Sequence, residues 1–343
     1  MAFRSTFPLT QTFLLLLLLL LLLLSSGIPT LVSLIQQKFT STLPGTASEV
    51  KDVVVDAAWA LSYLTDGSDS RIARTVEVPG AVEALVSLLS TAESFQVITP
   101  CLRALGNIVS GNEHHTQRVI DAGVLGAASK LLAHEKKSIK KEAAWMVSNI
   151  AAGTQSQIGD LLSDRWGGEA ILKAVADLAV SGEWEVRKES AWAVSNVLTM
   201  GTADQVCTMV DLGGVRAIAS LLDCNDTTIL NLALDSVAAV LKVGGERGFD
   251  YATVLDEEDG VEMLEKLQSH ESDEVYGKAV DIIETYFNGD EVDDAGSENV
   301  APVSVGGQFS FGVKEVEAVK EGFREEGGQR EALGVAAPVQ FSF

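Results

Sequence analysis

The stretch that decides the fold is KKEAAWMVSNIAAG, residues 140–153, because parts of it recur along the chain at a nearly fixed period. It returns downstream as RKESAWAVSN (residues 187–196), and upstream in the looser copies VDAAWALSYL (55–64) and PCLRALGNI (100–108). The anchor positions lie 44, 42 and 47 residues apart, at Trp59, Arg103, Trp145 and Trp192. Repeats of this length indicate a solenoid of stacked helices.

Glycines form a second ladder with the same period. Each opens an apolar helical pattern, and they lie 43, 45, 46 and 46 residues apart, at Gly80, Gly123, Gly168, Gly214 and Gly260. A glycine before a helix allows a sharp turn between closely packed helices. Because two ladders share one period in the armadillo range, the sequence predicts an all-α fold, an armadillo-repeat right-handed α-solenoid.

The composition fits a stack of helices with an acidic surface. Of the 343 residues, 47% are hydrophobic but only 6% are aromatic, and the net charge is −23 from 48 acidic and 25 basic residues. Such a surface repels phosphate backbones, so we do not expect nucleic acid as a direct ligand. A basic peptide would be attracted instead. Acidity that serves only solubility is the alternative interpretation.

Neither the cysteines nor the histidines form a pattern typical of a metal or redox site. Cys101, Cys207 and Cys224 lack C-x-x-C spacing, so we expect reduced residues packed in helices. The neighbours His114 and His115 are predicted to lie in a solvated loop. The sequence contains no nucleophile elbow, P-loop or H-E-x-x-H motif, so we expect neither an enzyme nor a bound cofactor or metal.

The pattern divides the chain into three segments: a leucine-rich N-terminus (1–26), armadillo repeats (27–288) and an acidic, Gly-rich tail (289–343) predicted to be disordered. The tail carries two QFSF motifs of open role, at 308–311 and 340–343. The leucine run has the length of a signal-peptide core. Because residues 27–35 already match the second helix of a repeat, we favour a truncated or mis-predicted start, or a leucine-rich cap, over secretion.

Two insertions interrupt the regular spacing. Residues 36–50 and 163–167 are predicted to be loops that bulge from turns between helices. The second insertion accounts for the longest spacing between anchor positions.

Five segments together resemble importin α, the adaptor family that carries nuclear-localisation signals. They are AWALSYLTDG (58–67), RALGNIVSG (103–111), TQRVIDAG (116–123), KEAAWMVSNIAAG (141–153) and LQSHESDEVYGKAVDIIETY (267–286). The likeness covers roughly residues 27–287 and matches the C-terminal repeats of that family only.

A W-x-x-x-N pair supplies the chemistry of a peptide groove. Residues i and i+4 project from the same face of a helix, so stacked helices would alternate indole walls with carboxamides. A carboxamide can hold both the C=O and the N–H of an extended peptide. Indole faces suit the stems of Lys and Arg, with cation–π attraction of roughly 0.5–2 kcal/mol. A Trp taken alone more often belongs to a core, but the pairs Trp145/Asn149 and Trp192/Asn196 recur in register.

The resemblance implies the following site, which corresponds to the second basic-peptide site of the family. The peptide would lie along Asn107, Trp145, Ser148, Asn149, Trp192 and Asn196. The most deeply held lysine would enter a pocket of Val109, Gly111, Thr116 and Asn149. Carboxylates facing the cationic tips would be Glu142 and Glu189, and the adjoining end would be shaped by Arg103, Trp59 and Tyr63.

The resemblance also implies partners and a location. We expect basic nuclear-localisation-signal cargo proteins, an export receptor at the C-terminal repeats, and a distribution between cytoplasm and nucleus. No basic segment that would bind importin β precedes the repeats in this sequence, so its engagement is not expected. The alternatives are a β-catenin-like scaffold for acidic or phosphorylated partners, a secreted or membrane-anchored repeat protein, and a non-functional importin α-like fragment.

Overall fold

A computed structural model describes residues 27–37 and 47–287, together with two strands at residues 303–305 and 308–310. The chain divides into two compact units, Met1–Gly289 and Asp290–Phe343. The leucine run, the second QFSF motif and most of the tail lie outside the described residues. In the second unit, Val303–Val305 (β1) pairs antiparallel with Gln308–Ser310 (β2), which contains three residues of the first QFSF motif.

The described part of the first unit is built of seventeen α-helices and one 3-10 turn. In chain order the helices are α1 (Gly27–Gln37), α2 (Ala47–Thr65), α3 (Asp69–Val76), α4 (Ala81–Thr91), α5 (Phe95–Val109), α6 (Glu113–Asp121), α7 (Leu125–Leu132), α8 (Lys137–Ala151), α9 (Gln155–Leu162), α10 (Gly168–Ser181), α11 (Trp184–Met200), α12 (Ala203–Asp211), α13 (Gly214–Ala219), α14 (Thr227–Arg247), α15 (Tyr251–Glu257), α16 (Gly260–Leu267) and α17 (Asp273–Tyr286).

These helices repeat in groups of three, which confirms the predicted solenoid. A short first helix, a second helix and a long third helix follow one another in α3–α5, α6–α8, α9–α11, α12–α14 and α15–α17, and the pair α1–α2 precedes them. Each long helix packs against the next one in the series α2, α5, α8, α11, α14 and α17. Successive second helices contact one another from α1 to α13, and successive first helices contact one another from α3 to α12.

Helix α8 shows why this sequence stacks in this way. Its buried side chains recur every three or four residues, and those of Ala143, Val147 and Ile150 are fully enclosed. This spacing follows the helical repeat of 3.6 residues and produces an apolar face. Because α8 packs between α5 and α11 and also against α7, its apolar residues join one core that continues from repeat to repeat.

The glycines of the ladder do not all occupy the same place relative to their helices. Gly80 has φ of 77° and precedes α4 directly, as the sequence predicts. Gly168, Gly214 and Gly260 are instead the first residues of their helices. A Cβ at Gly168 would lie 2.2 Å from the carbonyl oxygen of Leu161, so the absence of a side chain lets the helix start against the preceding one. The residue with positive φ is the one before each of them, namely Gly167, Gly213 and Asp259.

The structure revises the predicted loops. Residues 36–37 end α1 and residues 47–50 begin α2, so the first predicted loop is shorter than expected; residues 38–46 lie outside the described residues. The second insertion forms the 3-10 turn Asp164–Trp166. The indole of Trp166 lies close to Gly123 and Gly126 of the preceding repeat, so this insertion contributes to packing.

The predicted loop is wrong for both histidines, and the predicted solvent exposure is wrong for one of them. Both lie in α6 rather than in a loop, and although His114 is exposed, His115 is only 5% exposed. Within the described residues, α14 is the one helix as long and apolar as a membrane span. It packs between α11 and α17, with more than half of its apolar window buried, as expected for a core helix.

Candidate functional site

The two W-x-x-x-N pairs lie on neighbouring long helices. Trp145 and Asn149 belong to α8, and Trp192 and Asn196 belong to α11, which packs directly against α8. The indole of Trp145 is half-buried, whereas Trp192 is 39% exposed. The structure therefore places the predicted aromatic and amide side chains on one pair of adjacent helices.

The four residues expected to form the lysine pocket line a single cleft of 460 Å³. Val109 and Gly111 come from the end of α5, Thr116 from α6, and Asn149 from α8. The other lining residues are Ser110, Glu113, Ala152, Gly153 and Thr154. These residues are far apart in the sequence, but the stacking of successive repeats brings the ends of α5 and α8 together.

The cleft is suited to a positively charged group. Helices α5 and α8 both end beside it, and the unpaired carbonyls of a helix C-terminus carry a partial negative charge. The acidic residue Glu113 is also among its lining residues. The beginnings of α6 and α9 also lie here, but side chains already accept from their first-turn amides: Asn112 from His115 N, and Thr154 from Gln157 N.

Glu142 is paired within the protein. Its side chain forms a short ion pair with Arg103 of α5, and the Arg103 guanidinium lies 5.8 Å from the centroid of the Trp145 ring. Glu142 is 8% exposed, and its second carboxylate oxygen, Oε2, is buried without a hydrogen-bond partner among the described residues. One side of this carboxylate is therefore satisfied by the neighbouring helix, and the other is not.

Glu189 lies at the same place on α11, three residues before Trp192. Burial raises the pKa of its carboxyl above the ordinary value; the nearby charge of Lys141 offsets part of this shift, and that of Glu142 adds to it. The Glu142 carboxylate on the adjacent helix thus raises the pKa of Glu189. A cation placed nearby would favour the ionised form of Glu189.

The three asparagines of the predicted groove differ in their hydrogen-bond partners. Asn107 is 7% exposed, and its Nδ2 donates to the carbonyl oxygen of Ser62 on α2 at 2.9 Å. The Nδ2 of Asn196 donates to the carbonyl oxygen of Ser148 on α8, also at 2.9 Å. These two amides join α5 to α2 and α11 to α8.

Asn149 differs from both. Its Nδ2 is buried and has no hydrogen-bond partner in the part of the chain that the structure describes. The residue on α5 that corresponds to Ser62 and Ser148 by its position in the repeat is Gly106. A Cβ at Gly106 would lie 2.5 Å from the Trp145 ring, so the indole occupies the space above this glycine.

The remaining predicted residues lie at the ends or outside of the cleft. Trp59 and Tyr63 stack on each other on α2, with ring centroids 6.0 Å apart. The Ser148 hydroxyl donates to the carbonyl oxygen of Trp145 in its own helix, and Ser148 is buried. The structure thus gives Ser148 a role through its backbone carbonyl, which accepts from Asn196, and not through its hydroxyl.

Asp56 is not among the carboxylates predicted for the groove. Asp56 lies three residues before Trp59, the offset that Glu142 and Glu189 have from their tryptophans. Burial and the charge of Asp52 both raise the pKa of its carboxyl. The fixed offset could have identified it, but the substitution of Asp for Glu hid the match. No group of three or more potential metal ligands occurs among the described residues.

Models of protein families match three parts of the chain. The armadillo/beta-catenin-like repeat matches residues 76–110 and 112–152, and the atypical Arm repeat matches residues 250–302. The last match extends beyond the boundary between the two compact units at Gly289.

Curated relatives cover the repeat region. Importin subunit alpha-3 of Arabidopsis thaliana is 39% identical over 76% of this chain and 49% of its own length. Importin subunit alpha-1a of Oryza sativa subsp. japonica is 38% identical over 77% of this chain and 50% of its own length. The chain therefore spans about half the length of the curated relatives it matches.

Solved structures share the fold. The designed armadillo repeat protein YIII(Dq)4CqI is 27% identical with a TM-score of 0.63, over 75% of this chain and 98% of that protein. The designed armadillo repeat protein YIII(Dq.V1)4CPAF, solved in complex with the peptide (KR)4, is 28% identical with a TM-score of 0.63. That match covers 76% of this chain and all of the designed protein.

Proposed function

Because the chain belongs to the importin α family of armadillo-repeat proteins, which are not enzymes, we propose that its repeats bind basic peptides of the nuclear-localisation class. In this role it would act as a nuclear import adaptor, moving between cytoplasm and nucleus. Its ligands would be basic cargo proteins, with an export receptor at the C-terminal repeats. Because the chain spans half of its relatives, these partners are proposals for the repeats present here.

The observation that carries the proposal is the cleft at the ends of α5 and α8. It brings Val109, Gly111, Thr116 and Asn149 together, and helix C-termini and Glu113 make it favourable for a lysine ammonium. The unpartnered Nδ2 of Asn149 needs an acceptor, which a peptide carbonyl would supply after a rotation of the carboxamide. A basic peptide therefore satisfies a charge preference and an unpaired donor at one place.

The tryptophans and carboxylates extend this site along α8 and α11. A lysine or arginine stem would lie against Trp145 or Trp192, with its cationic end towards Glu142 and Glu189. The buried Oε2 of Glu142, unpartnered in the described region, would gain a donor from such an end. A designed armadillo repeat protein similar to this chain was solved with the peptide (KR)4, which consists of long basic side chains.

The test is a calorimetric titration of a lysine-rich localisation peptide at low salt. Asn149→Ala should weaken binding by about 1–3 kcal/mol, roughly five-fold to over a hundred-fold, because two hydrogen bonds to the peptide backbone are lost. Its melting temperature should not change, since Asn149 Nδ2 has no partner among the described residues. The matched control is Asn225→Ala, in an exposed position before α14.

The proposal predicts binding by the wild type and by the control, and a selective loss in Asn149→Ala. Equal affinity in all three proteins would contradict the role of the cleft. A glutamate-rich peptide of the same length should not bind; if it bound more tightly than the basic peptide, the scaffold alternative would replace the adaptor.

A further inference from the structure

The first helices of successive repeats are joined by one recurring side-chain position. It lies four residues after a glycine, at Gln157 after Gly153 and at Gln205 after Gly201. In both repeats the glutamine completes a capping box with a threonine, Thr154 or Thr202. The position is therefore held firmly at the third residue of the helix.

Each of these glutamines also reaches the preceding repeat. Gln157 Nε2 donates to the carbonyl oxygen of Glu113, the first residue of α6, at 2.8 Å. Gln205 Nε2 donates to the carbonyl oxygen of Gln155, the first residue of α9, also at 2.8 Å. A neutral amide thus links α6 to α9 and α9 to α12 at any pH.

The corresponding residue of α6 is His115, four residues after Gly111. It is 5% exposed, and its Nδ1 has no hydrogen-bond partner in the described residues. The group that it faces is Asp69, the first residue of α3, with 3.9 Å between His115 Nδ1 and Asp69 Oδ1. That distance is too long for a hydrogen bond but within reach of an ion pair.

Gly111 keeps the space between these groups open. A Cβ added to it would lie 2.9 Å from His115 Nδ1 and 3.1 Å from Asp69 Oδ1. The same glycine lines the cleft described above, as does Thr116, the residue after His115. A change in the contact between α3 and α6 would therefore occur directly beside the cleft.

Other charged groups near α6 already have partners or lie elsewhere. On α3, the guanidinium of Arg71 donates to the carbonyl oxygen of Tyr63. On α4, Glu83 pairs with Arg118, and on α9, Asp160 accepts from Gln117. The titratable residues of α5 are Cys101 and Arg103, on earlier turns of that helix. Arg74 lies in the last turn of α3, and α6 itself carries Glu113, His114, Arg118 and Asp121 beside His115. Asp69 is the carboxylate that faces the imidazole.

We propose that protonation of His115 closes an ion pair with Asp69 and so makes, only at low pH, the link between first helices that glutamine makes permanently in the next two repeats. Histidine is the side chain that ordinarily changes its charge between pH 5 and 8. The imidazolium gains an attraction to the Asp69 carboxylate that the neutral ring lacks. The device is independent of whether the groove binds a peptide.

The direct test is an NMR titration of the full chain with labelled histidine. Only four histidines are present, and His115→Gln identifies the signal of interest by its loss. Asp69→Asn should lower the titration midpoint of His115, whereas the control Asp66→Asn, in the exposed turn before α3, should leave it unchanged. A midpoint that stays the same or rises in Asp69→Asn would overturn the proposal.

Urea unfolding between pH 8 and 5.5 supplies a second, stability-based measurement. The pair exists only when His115 is protonated, so its contribution should be present at low pH and lost as pH rises. The difference in urea midpoint between wild type and Asp69→Asn should therefore widen towards pH 5.5. The same difference measured in a His115→Gln background should stay constant; parallel pH profiles in the two backgrounds would refute the link.

Discussion

The repeat pattern is the same where α8 packs against α11 and where α5 packs against α8. An asparagine amide donates a hydrogen bond to the neighbouring helix only in the first case. Asn196 donates to the carbonyl oxygen of Ser148 across the α8–α11 boundary. Across the α5–α8 boundary, Asn149 makes no such bond to any described residue, and the Trp145 ring lies over Gly106 instead. The same residue type at the same repeat position thus braces helices at one boundary and keeps an unpaired donor at the other.

This difference distinguishes an asparagine that joins two helices from one to which we assign a ligand in the proposed function. An asparagine that bonds a neighbouring helix contributes to stability before any ligand arrives. An asparagine with an unpaired amide gains a partner only when a ligand supplies one. Repeat position alone does not distinguish the two; the hydrogen-bond partner of each amide does.

The largest expected effect comes from filling the space above Gly106. Gly106→Ala places a methyl group where the Trp145 ring lies, and overpacking of a core contact typically costs about 1–3 kcal/mol. The free energy of unfolding in urea should fall by that amount, and tryptophan fluorescence should shift as the indole is displaced. The matched control is Gly277→Ala in α17, where no described atom lies within 4 Å of the added Cβ and where alanine should stabilise the helix. Equal responses of the two variants would show that the indole does not need the glycine.

A second pair of variants tests the difference between the two asparagine amides. Asn196→Ala should lower the free energy of unfolding by about 0.5–1.5 kcal/mol, because it removes one hydrogen bond between helices. Asn149→Ala should leave that free energy unchanged. The check is urea unfolding of both variants under identical conditions, and a larger loss in Asn149→Ala would reverse the assignment of the two roles.

The third prediction concerns the carboxylates at the same two boundaries. Glu142 is paired with Arg103 of α5, whereas burial raises the pKa of Glu189. A raised carboxyl pKa means that the folded protein holds the proton more strongly than the unfolded chain does. The ordinary pKa of this carboxyl is 4.5. As pH rises above that value, ionisation of Glu189 therefore lowers the free energy of unfolding. Glu189→Gln should be at least as stable as wild type at pH 7.

The same variant should bind a basic peptide more weakly at pH 7, because a carboxylate that faces the cation is lost. In the wild type, affinity should fall as pH is lowered towards the raised pKa of Glu189, since a protonated carboxyl cannot pair with lysine. Calorimetric titrations at several pH values should show a weaker dependence in the variant. A pH dependence identical to that of the wild type would assign it to another group.

The smallest effect is expected at the exposed edge of the α8–α11 boundary. Lys137 of α8 contacts Glu183 at 2.8 Å and Glu185 at 3.1 Å, but all three side chains are substantially exposed. Solvent and salt screen such pairs. Lys137→Gln should leave the urea midpoint within experimental error at 0.15 M salt. A loss as large as that of Asn196→Ala would mean that surface charge, and not the amide, holds the two helices together.

The repeats and the four-residue cleft follow from sequence, whereas the amide partners do not. Periodicity places Trp145 and Trp192 on adjacent helices, and the family resemblance names four of the nine residues that line the cleft. Whether an asparagine bonds a neighbouring helix depends on a carbonyl some 45 residues away, at a distance of a few ångströms, and neither quantity follows from spacing. For the same reason the burial of His115 was missed: its polarity suggests a loop, but its repeat position places it between two helices.

The contact between Trp145 and Gly106 limits how this solenoid can be rebuilt. Trp145 belongs to one repeat and Gly106 to the repeat before it. Their contact therefore crosses the boundary at which repeats are usually separated. A recombination experiment that transplants α6–α8 alone would set the tryptophan against whatever residue the new neighbour offers. The unit that can be moved with this contact intact is therefore not one repeat but the segment α5–α8, which contains both residues.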